Sequence, residues 1–298
     1  MLSPQAKIVK RILRTSSNRK TYKKSQIDTL RRNFDRNLTM MFPSTTRGIR
    51  REHIADVPMD VITPRRVTKR AVVYVHGGGF VVGSTKSHRQ HIKRVANLCR
   101  AKVYAIDYSL APESPYPIAL DQIQQVWERL VADQTVDPRH AVFMGDSAGG
   151  NLALASLLRF RTRNIPMPSC LVLLSPGLDA TLSGMSYARN ADSEPMLSRA
   201  KLELFVNSYV GDASKQDPIV SPVFADLHDL PPMLVHVGSD ELLLSDSQTI
   251  TDHAKRDNVD VALFVGEGLW HGWHFFASYV PEAKRAMKDI AAFVSRHA

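Results

Sequence analysis

The stretch Ala141-Val142-Phe143-Met144-Gly145-Asp146-Ser147-Ala148-Gly149-Gly150-Asn151 decides the fold. Its first four residues are an apolar run with β-branched and aromatic side chains, which predicts a strand buried on both faces. Asn151–Phe160 follows with helical spacing. Between them Gly145-Asp146-Ser147-Ala148-Gly149 fits G-x-S-x-G, the pattern of a serine held on a sharp strand-to-helix turn. Glycines on either side remove side chains that would collide across such a turn. The serine hydroxyl then stands at a helix N-terminus, where the dipole favours developing negative charge.

Working outward, the same alternation recurs. Ala71–Val75, Val103–Ile106, Cys170–Leu174, Met233–Val237 and Val261–Val265 are short apolar runs, separated by the helical patterns Ser87–Leu98 and Ala119–Val131 and closed by Pro281–His297. In Ala119–Val131 the residues Ile123, Val126, Trp127 and Leu130 share one face. Parallel strands need crossovers of a dozen or more residues, so this order predicts an α/β fold: a doubly wound, mostly parallel sheet with helices on both faces. Pro176–Val220 interrupts the alternation, is too long for a plain loop, and contains a helical piece near Arg199–Tyr209. It is expected to be an inserted helical cap at about 176–220 in a catalytic domain of residues 56–298.

Of 298 residues, 44% are apolar and 23% charged, and no apolar run approaches the roughly 18 residues that span a bilayer. The net charge of +10 is unevenly placed: residues 1–70 hold 18 Lys+Arg against 5 Asp+Glu, the remaining 228 hold 21 against 24. The excess therefore belongs to a basic N-terminal arm, residues 1–55, expected to join the cap. Lys7, Lys10, Arg11 and Arg14 interrupt any secretory apolar core. The preferred reading is a solvated amphipathic helix packed on the body through Ile8, Ile12 and Leu13; an organelle transit peptide or contact with a membrane surface is less favoured. No nucleic-acid motif accompanies the charge, so no nucleic-acid partner is expected. Cys99 and Cys170 make a poor disulfide framework and read as buried reduced thiols, which fits a cytoplasmic location. A homodimer is compatible with the sequence.

His76-Gly77-Gly78-Gly79 follows the strand Ala71–Val75. Consecutive glycines let backbone N–H groups approach a substrate oxygen, and such donors stabilise a tetrahedral oxyanion. A phosphate-binding loop is disfavoured, since neither Gly-Lys-Ser/Thr nor a dinucleotide G-x-G-x-x-G is present. A further donor is expected from the N–H of Ala148, just after the nucleophile.

Three motifs now coincide: His76-Gly77-Gly78-Gly79, Tyr108-Ser109-Leu110-Ala111-Pro112-Glu113 and Gly145-Asp146-Ser147-Ala148-Gly149-Gly150. In this combination the chain, from about residue 70 to 295, resembles the hormone-sensitive-lipase-like (bacterial family IV) carboxylesterases of the α/β-hydrolase superfamily. The resemblance implies Gly78 and Gly79 as oxyanion donors, a structural role for His76, and a loop-ordering role for Tyr108–Glu113.

A serine hydroxyl needs a base, usually histidine, and an acid that fixes the histidine tautomer; in this fold the chain order is Ser, acid, His. The expected acid is Asp240, just past the strand Met233–Val237 and at the family's acid position, with Glu241 its neighbour and Asp246 further on. The expected base is His271 in His271-Gly272-Trp273, after the last strand, where the family more often has phenylalanine than tryptophan; His274 is the competitor. Ser147, Asp240 and His271 are thus the expected triad, with oxyanion donors Gly78, Gly79 and Ala148. The resemblance implies a serine carboxylesterase acting on short- to medium-chain esters, a small-molecule ester as partner, and neither cofactor nor metal. Leu178, Phe205 and Trp270 are expected to line the substrate pocket. Cleavage of amides, lactones or longer-chain lipids on the same triad is the alternative, and a non-catalytic small-ligand receptor the remote one.

Overall fold

The computed structural model describes residues 2–16 and 24–298; the stretch 17–23 of the basic arm lies outside the described residues. The helices α1 (Pro4–Ser16) and α2 (Ile27–Met41) precede the hairpin β1 (Ile49–Ile54) and β2 (Val57–Ile62). Then come β3 (Ala71–Val75), α3 (Arg89–Cys99), β4 (Lys102–Ile106), α4 (Ile118–Ala132), β5 (Ala141–Asp146), α5 (Ala148–Thr162) and β6 (Cys170–Leu174). After the short α6 (Ser186–Arg189) and α7 (Arg199–Val210), the chain closes with β7 (Met233–Gly238), α8 (Leu244–Arg256), β8 (Val261–Gly266) and α9 (Pro281–His297).

The strands form one sheet in the order β1-β2-β4-β3-β5-β6-β7-β8. From β4 to β8 all pairs are parallel, while β1–β2 and β2–β4 are antiparallel. Alternate residues of β3 serve opposite faces, as the pleat requires. Val73 and Val75 pack with Trp127 of α4 and Leu152 of α5, whereas Val72 and Tyr74 pack with Ile92 of α3 and Ile290 of α9. Both faces are thus covered, which accounts for the unbroken apolar runs in the central strands.

The antiparallel hairpin was not expected. β1 reads Ile-Arg-Arg-Glu-His-Ile, too charged for a buried strand, and is an edge strand with largely solvent-facing side chains. The expected boundary between residues 55 and 56 falls in its turn, where Ala55 and Asp56 both take positive φ. Helix α1 packs on the body through Leu13, as expected, but Ile8 and Ile12 face outward. Ile8 and Ile12 are 60% and 58% exposed, and the buried face is Ala6, Lys10 and Leu13. A lysine inside that face has a specific partner, described below. Cys99 and Cys170 are both buried and free.

Candidate active site

β5 ends at Asp146, and Ser147 takes φ 54° and ψ −122° before α5 begins. That region is sparsely populated for non-glycine residues and costs about 1–3 kcal/mol, so the surroundings must hold it. They do: Ser147 donates its N–H to Leu174 O at 2.8 Å, and its carbonyl accepts from Gly150 N and Gly177 N. A Cβ on Gly149 would lie 2.1 Å from Val75 O, so only glycine lets α5 sit this close to β3.

Asp146, unremarked in the sequence beyond its place in the motif, ties this elbow to the glycine loop. Its buried carboxylate accepts from Tyr74 Oη at 2.7 Å and from Gly77 N at 3.0 Å, and faces His88 Nε2 at 3.4 Å. Burial opposes its ionisation, but His88 and the hydrogen bonds from His88 and Tyr74 win and hold it below the usual carboxylate range. The side chain of His76 stacks on Tyr108, whose hydroxyl donates to His76 O at 2.8 Å. The N–H groups of Gly78, Gly79 and Ala148 take no hydrogen-bond partner among the described residues.

The acid–base side departs from the expectation. His271 Nδ1 meets Glu241 Oε2 at 3.0 Å, and Glu241 is completely buried. Its other oxygen accepts from Ser175 Oγ at 2.7 Å and Gly238 N at 2.6 Å. Asp240, the expected acid, turns away: its carboxylate pairs with Lys10 of α1, which also donates to Gly268 O at 2.8 Å. The reason is the set of partners each carboxylate meets. In the turn after β7, Lys10 holds the Asp240 carboxylate, while Ser175 and Gly238 N hold that of Glu241 against the imidazole. Burial lowers the affinity of His271 for a proton, but the hydrogen bond and charge of Glu241 outweigh this and hold its pKa above the ordinary 6.5.

A second carboxylate supports the same loop. Glu194 accepts from His271 N at 3.0 Å and Met196 N at 2.6 Å; burial pushes its pKa up to about 7, against the pull of His271. Nearby, Asn190 donates to Ser239 O and Glu241 O, and Ser193 to Asp240 O. His274 is buried, stacked on Trp273 and close to His236, away from Glu241.

Two cavities meet at Ser147. The larger, about 740 Å³, is lined by Ser147, His271, Gly78 and Gly79, by Phe34, Leu38 and Met41 of α2, and by Lys201 of α7. The smaller, about 460 Å³, is lined by Ser147, Ala148, Asn151, Val220 and Leu243 and does not include His271. Phe205 of α7 borders both. Leu178 and Trp270, expected at the pocket, border neither: Leu178 is buried with its N–H on Asp246, and Trp270 packs edge-on against Phe276. No described helix is long and apolar enough to cross a membrane.

A sheet of this order, with a serine elbow after its fifth strand and a carboxylate–histidine pair after its last two, defines a class of hydrolase, and comparison with known proteins agrees. Residues 72–275 match the family described as the alpha/beta hydrolase fold. An esterase of Acinetobacter venetianus is 38% identical over 87% of this chain and 86% of its own length. An acetyl-hydrolase of Streptomyces hygroscopicus is 32% identical over 78% of each. The crystal structure of an esterase from the bacterial hormone-sensitive lipase family superposes with a TM-score of 0.91 at 33% identity, covering 100% of this chain and 99% of that one. The chain belongs to the α/β-hydrolase fold family.

Proposed function

We propose that this carboxylic ester hydrolase works through Ser147 as nucleophile, His271 as base and Glu241 as the acid that orients the base. The observation that carries the reading is the buried Glu241–His271 contact, at 3.0 Å, on the cleft that Ser147 also lines. In this scheme Glu241 accepts a hydrogen bond from Nδ1–H, leaving Nε2 free to take the Ser147 proton as Oγ attacks the ester carbonyl. The N–H groups of Gly78, Gly79 and Ala148 receive the oxyanion, a contribution of about 3–4 kcal/mol for each donor removed. His271 then protonates the leaving alcohol, and water activated by the same histidine releases the acid from the acyl-enzyme. The scheme requires no metal or organic cofactor.

The two cavities take the two halves of the ester. The leaving oxygen must be within reach of His271, so the alcohol occupies the larger cavity. The acyl chain enters the smaller apolar one between α5 and α7, which suits short to medium chains. The Streptomyces relative named for acetyl hydrolysis supports the short end. α1, α2, α6 and α7 together act as the cap.

The test is hydrolysis of p-nitrophenyl acetate, butyrate, octanoate and palmitate, with Ser147→Ala as control. Turnover peaking between acetate and octanoate and lost in the variant is expected. A maximum at palmitate would overturn the assignment of the acyl cavity. Turnover of no ester above the variant's background would overturn the esterase mechanism.

A further inference from the structure

The larger cavity is apolar along α2 and the start of α7, through Phe34, Leu38, Met41, Met196, Leu197 and Leu202, yet Lys201 stands on its wall. Long cations are normally paired or sent to bulk water when their surroundings are apolar. Lys201 is partly buried and has neither an ion pair nor a side-chain hydrogen bond among the described residues. Its ammonium lies 5.7 Å from the centroid of the Phe205 ring, one helical turn on, a weak cation–π contact.

The carboxylates around it are committed elsewhere. Glu194 has one oxygen on Met196 N and the other on His271 N. Asp146, also on the cavity wall, is held by Tyr74, Gly77 and His88. Burial pushes the Lys201 pKa down and Glu194 pulls it partly back, as befits a cation short of a counter-charge.

The ammonium is also close to the reacting centre. The Phe205 ring it approaches presses on the glycine loop so tightly that a Cβ on Gly79 would lie 2.0 Å from Phe205 Cδ2. One aromatic ring therefore separates Lys201 from the oxyanion loop, on the side that holds the leaving alcohol.

We propose that Lys201 is a specificity-determining residue that selects esters whose alcohol half carries an anionic group, such as a carboxylate. This rests on the esterase reading above and on its placement of the alcohol beside His271. The anion supplies the charge missing from an otherwise apolar wall, and the aromatic and aliphatic side chains of α2 and α7 cover the carbon skeleton between anion and ester.

Two butyrate esters test it: meta-carboxyphenyl butyrate, anionic near neutral pH, and its neutral analogue meta-carbamoylphenyl butyrate. The ratio of kcat/KM values, anion over amide, is measured for the wild type, Lys201→Met and Lys201→Arg. Taking this ratio between enzymes cancels the different reactivities of the two phenols. The expected result is a wild-type ratio about tenfold or more above that of K201M, equivalent to about 1.4 kcal/mol. K201R should retain most of the preference, and salt should reduce it. Equal ratios in wild type and K201M overturn the proposal. Should K201M fail to fold, Lys201→Gln gives the same comparison, and a ratio equal to that of the wild type overturns it instead. Absence of turnover of both esters by folded wild type overturns the esterase mechanism and this proposal with it, whereas turnover of the amide alone overturns only the proposal.

Discussion

At the Ser147 elbow, the contacts that set the serine come from its own turn and from the adjoining ends of β3 and β6: Gly149 against Val75, Ser147 N on Leu174 O, Gly177 N on Ser147 O. Across the cleft, the turns at 238–241 and 266–271 are set by side chains from distant parts of the chain. Lys10 comes from α1, Ser175 from the end of β6, and Asn190, Ser193 and Glu194 from the segment between α6 and α7. One half of the site is marked by short motifs and held by the adjoining ends of central strands. The other half is assembled by tertiary contacts, and a substitution remote in sequence can reach it.

The largest test of this comparison sets Glu241 against Asp240. Glu241→Gln keeps the shape but can turn an NH₂ group toward His271 Nδ1, favouring the wrong tautomer; kcat should fall by roughly 10³–10⁴-fold. Asp240→Asn removes the charge that Lys10 pairs with and touches the hydrogen bond from Ser239 Oγ, neither of them on His271, and the loss should stay below about tenfold, as for other partly exposed pairs. Steady-state kinetics on p-nitrophenyl butyrate decides it. If D240N were the more damaging of the two, the assignment of the acid would revert to Asp240.

The same contrast explains what was legible in the sequence. The central strands, the elbow and the glycine loop are disclosed by apolar runs and glycine spacing, although Val75, Leu174 and the Asp146 contacts that hold them lie far off in the chain. The sequence also places an acid just after β7. It cannot choose between Asp240 and Glu241, because that choice depends on Ser175, on Gly238 N and on a lysine 230 residues upstream. The outward turn of Ile8 and Ile12 has the same origin. Their spacing suggests an apolar face, but Lys10 buries its stem to reach Asp240 and rotates α1 accordingly. The β1–β2 hairpin is not legible because Ala55-Asp56 takes positive φ without the Asn-Gly signal usual for such turns, and because the edge strand β1 carries little apolar patterning.

A second difference between the halves concerns acid. His236 of β7 and His91 of α3, the latter against Tyr74 and Phe275, are buried, and burial holds both neutral down to about 3; His274 is held well below its ordinary pKa for the same reason. A free imidazole takes its proton near 6.5. Between these values the unfolded chain binds protons that the folded chain refuses, so these histidines make stability rise with pH across the window and fall as pH drops from 6.5 toward 3. Asp246 and Glu194, raised by burial to about 8 and about 7, act oppositely, since their folded forms keep a proton that the unfolded chain releases. The histidine contribution is therefore read by difference. Denaturant unfolding of wild type and His236→Phe at about pH 8 and about pH 5 should show the variant losing about 2 kcal/mol less on acidification, from 1.36 kcal/mol per pH unit below 6.5. The packing cost of the new ring cancels in that difference. An identical loss in both proteins would mean that His236 is protonated in the fold.

The smallest effect is expected at Lys10, and it probes how far the assembled half reaches. The lysine is joined to Asp240 and Gly268, one on each catalytic turn, with side-chain exposures of 11% for Lys10 and 24% for Asp240. Lys10→Met keeps the apolar stem and removes both contacts. Stability should fall by about 1 kcal/mol, the upper end for a partly exposed pair. A merely structural tether would stop there. If α1 also sets the spacing between Glu241 and His271, kcat should drop a few-fold with KM nearly unchanged, and the acid limb of the kcat–pH profile should move to lower pH, because a looser Glu241 contact raises the His271 pKa less. The double variant K10M/D240N should then lose little beyond K10M alone, since both remove one interaction. Additive losses would mean that Lys10 acts through Gly268 and the histidine turn, and that the acid turn holds itself.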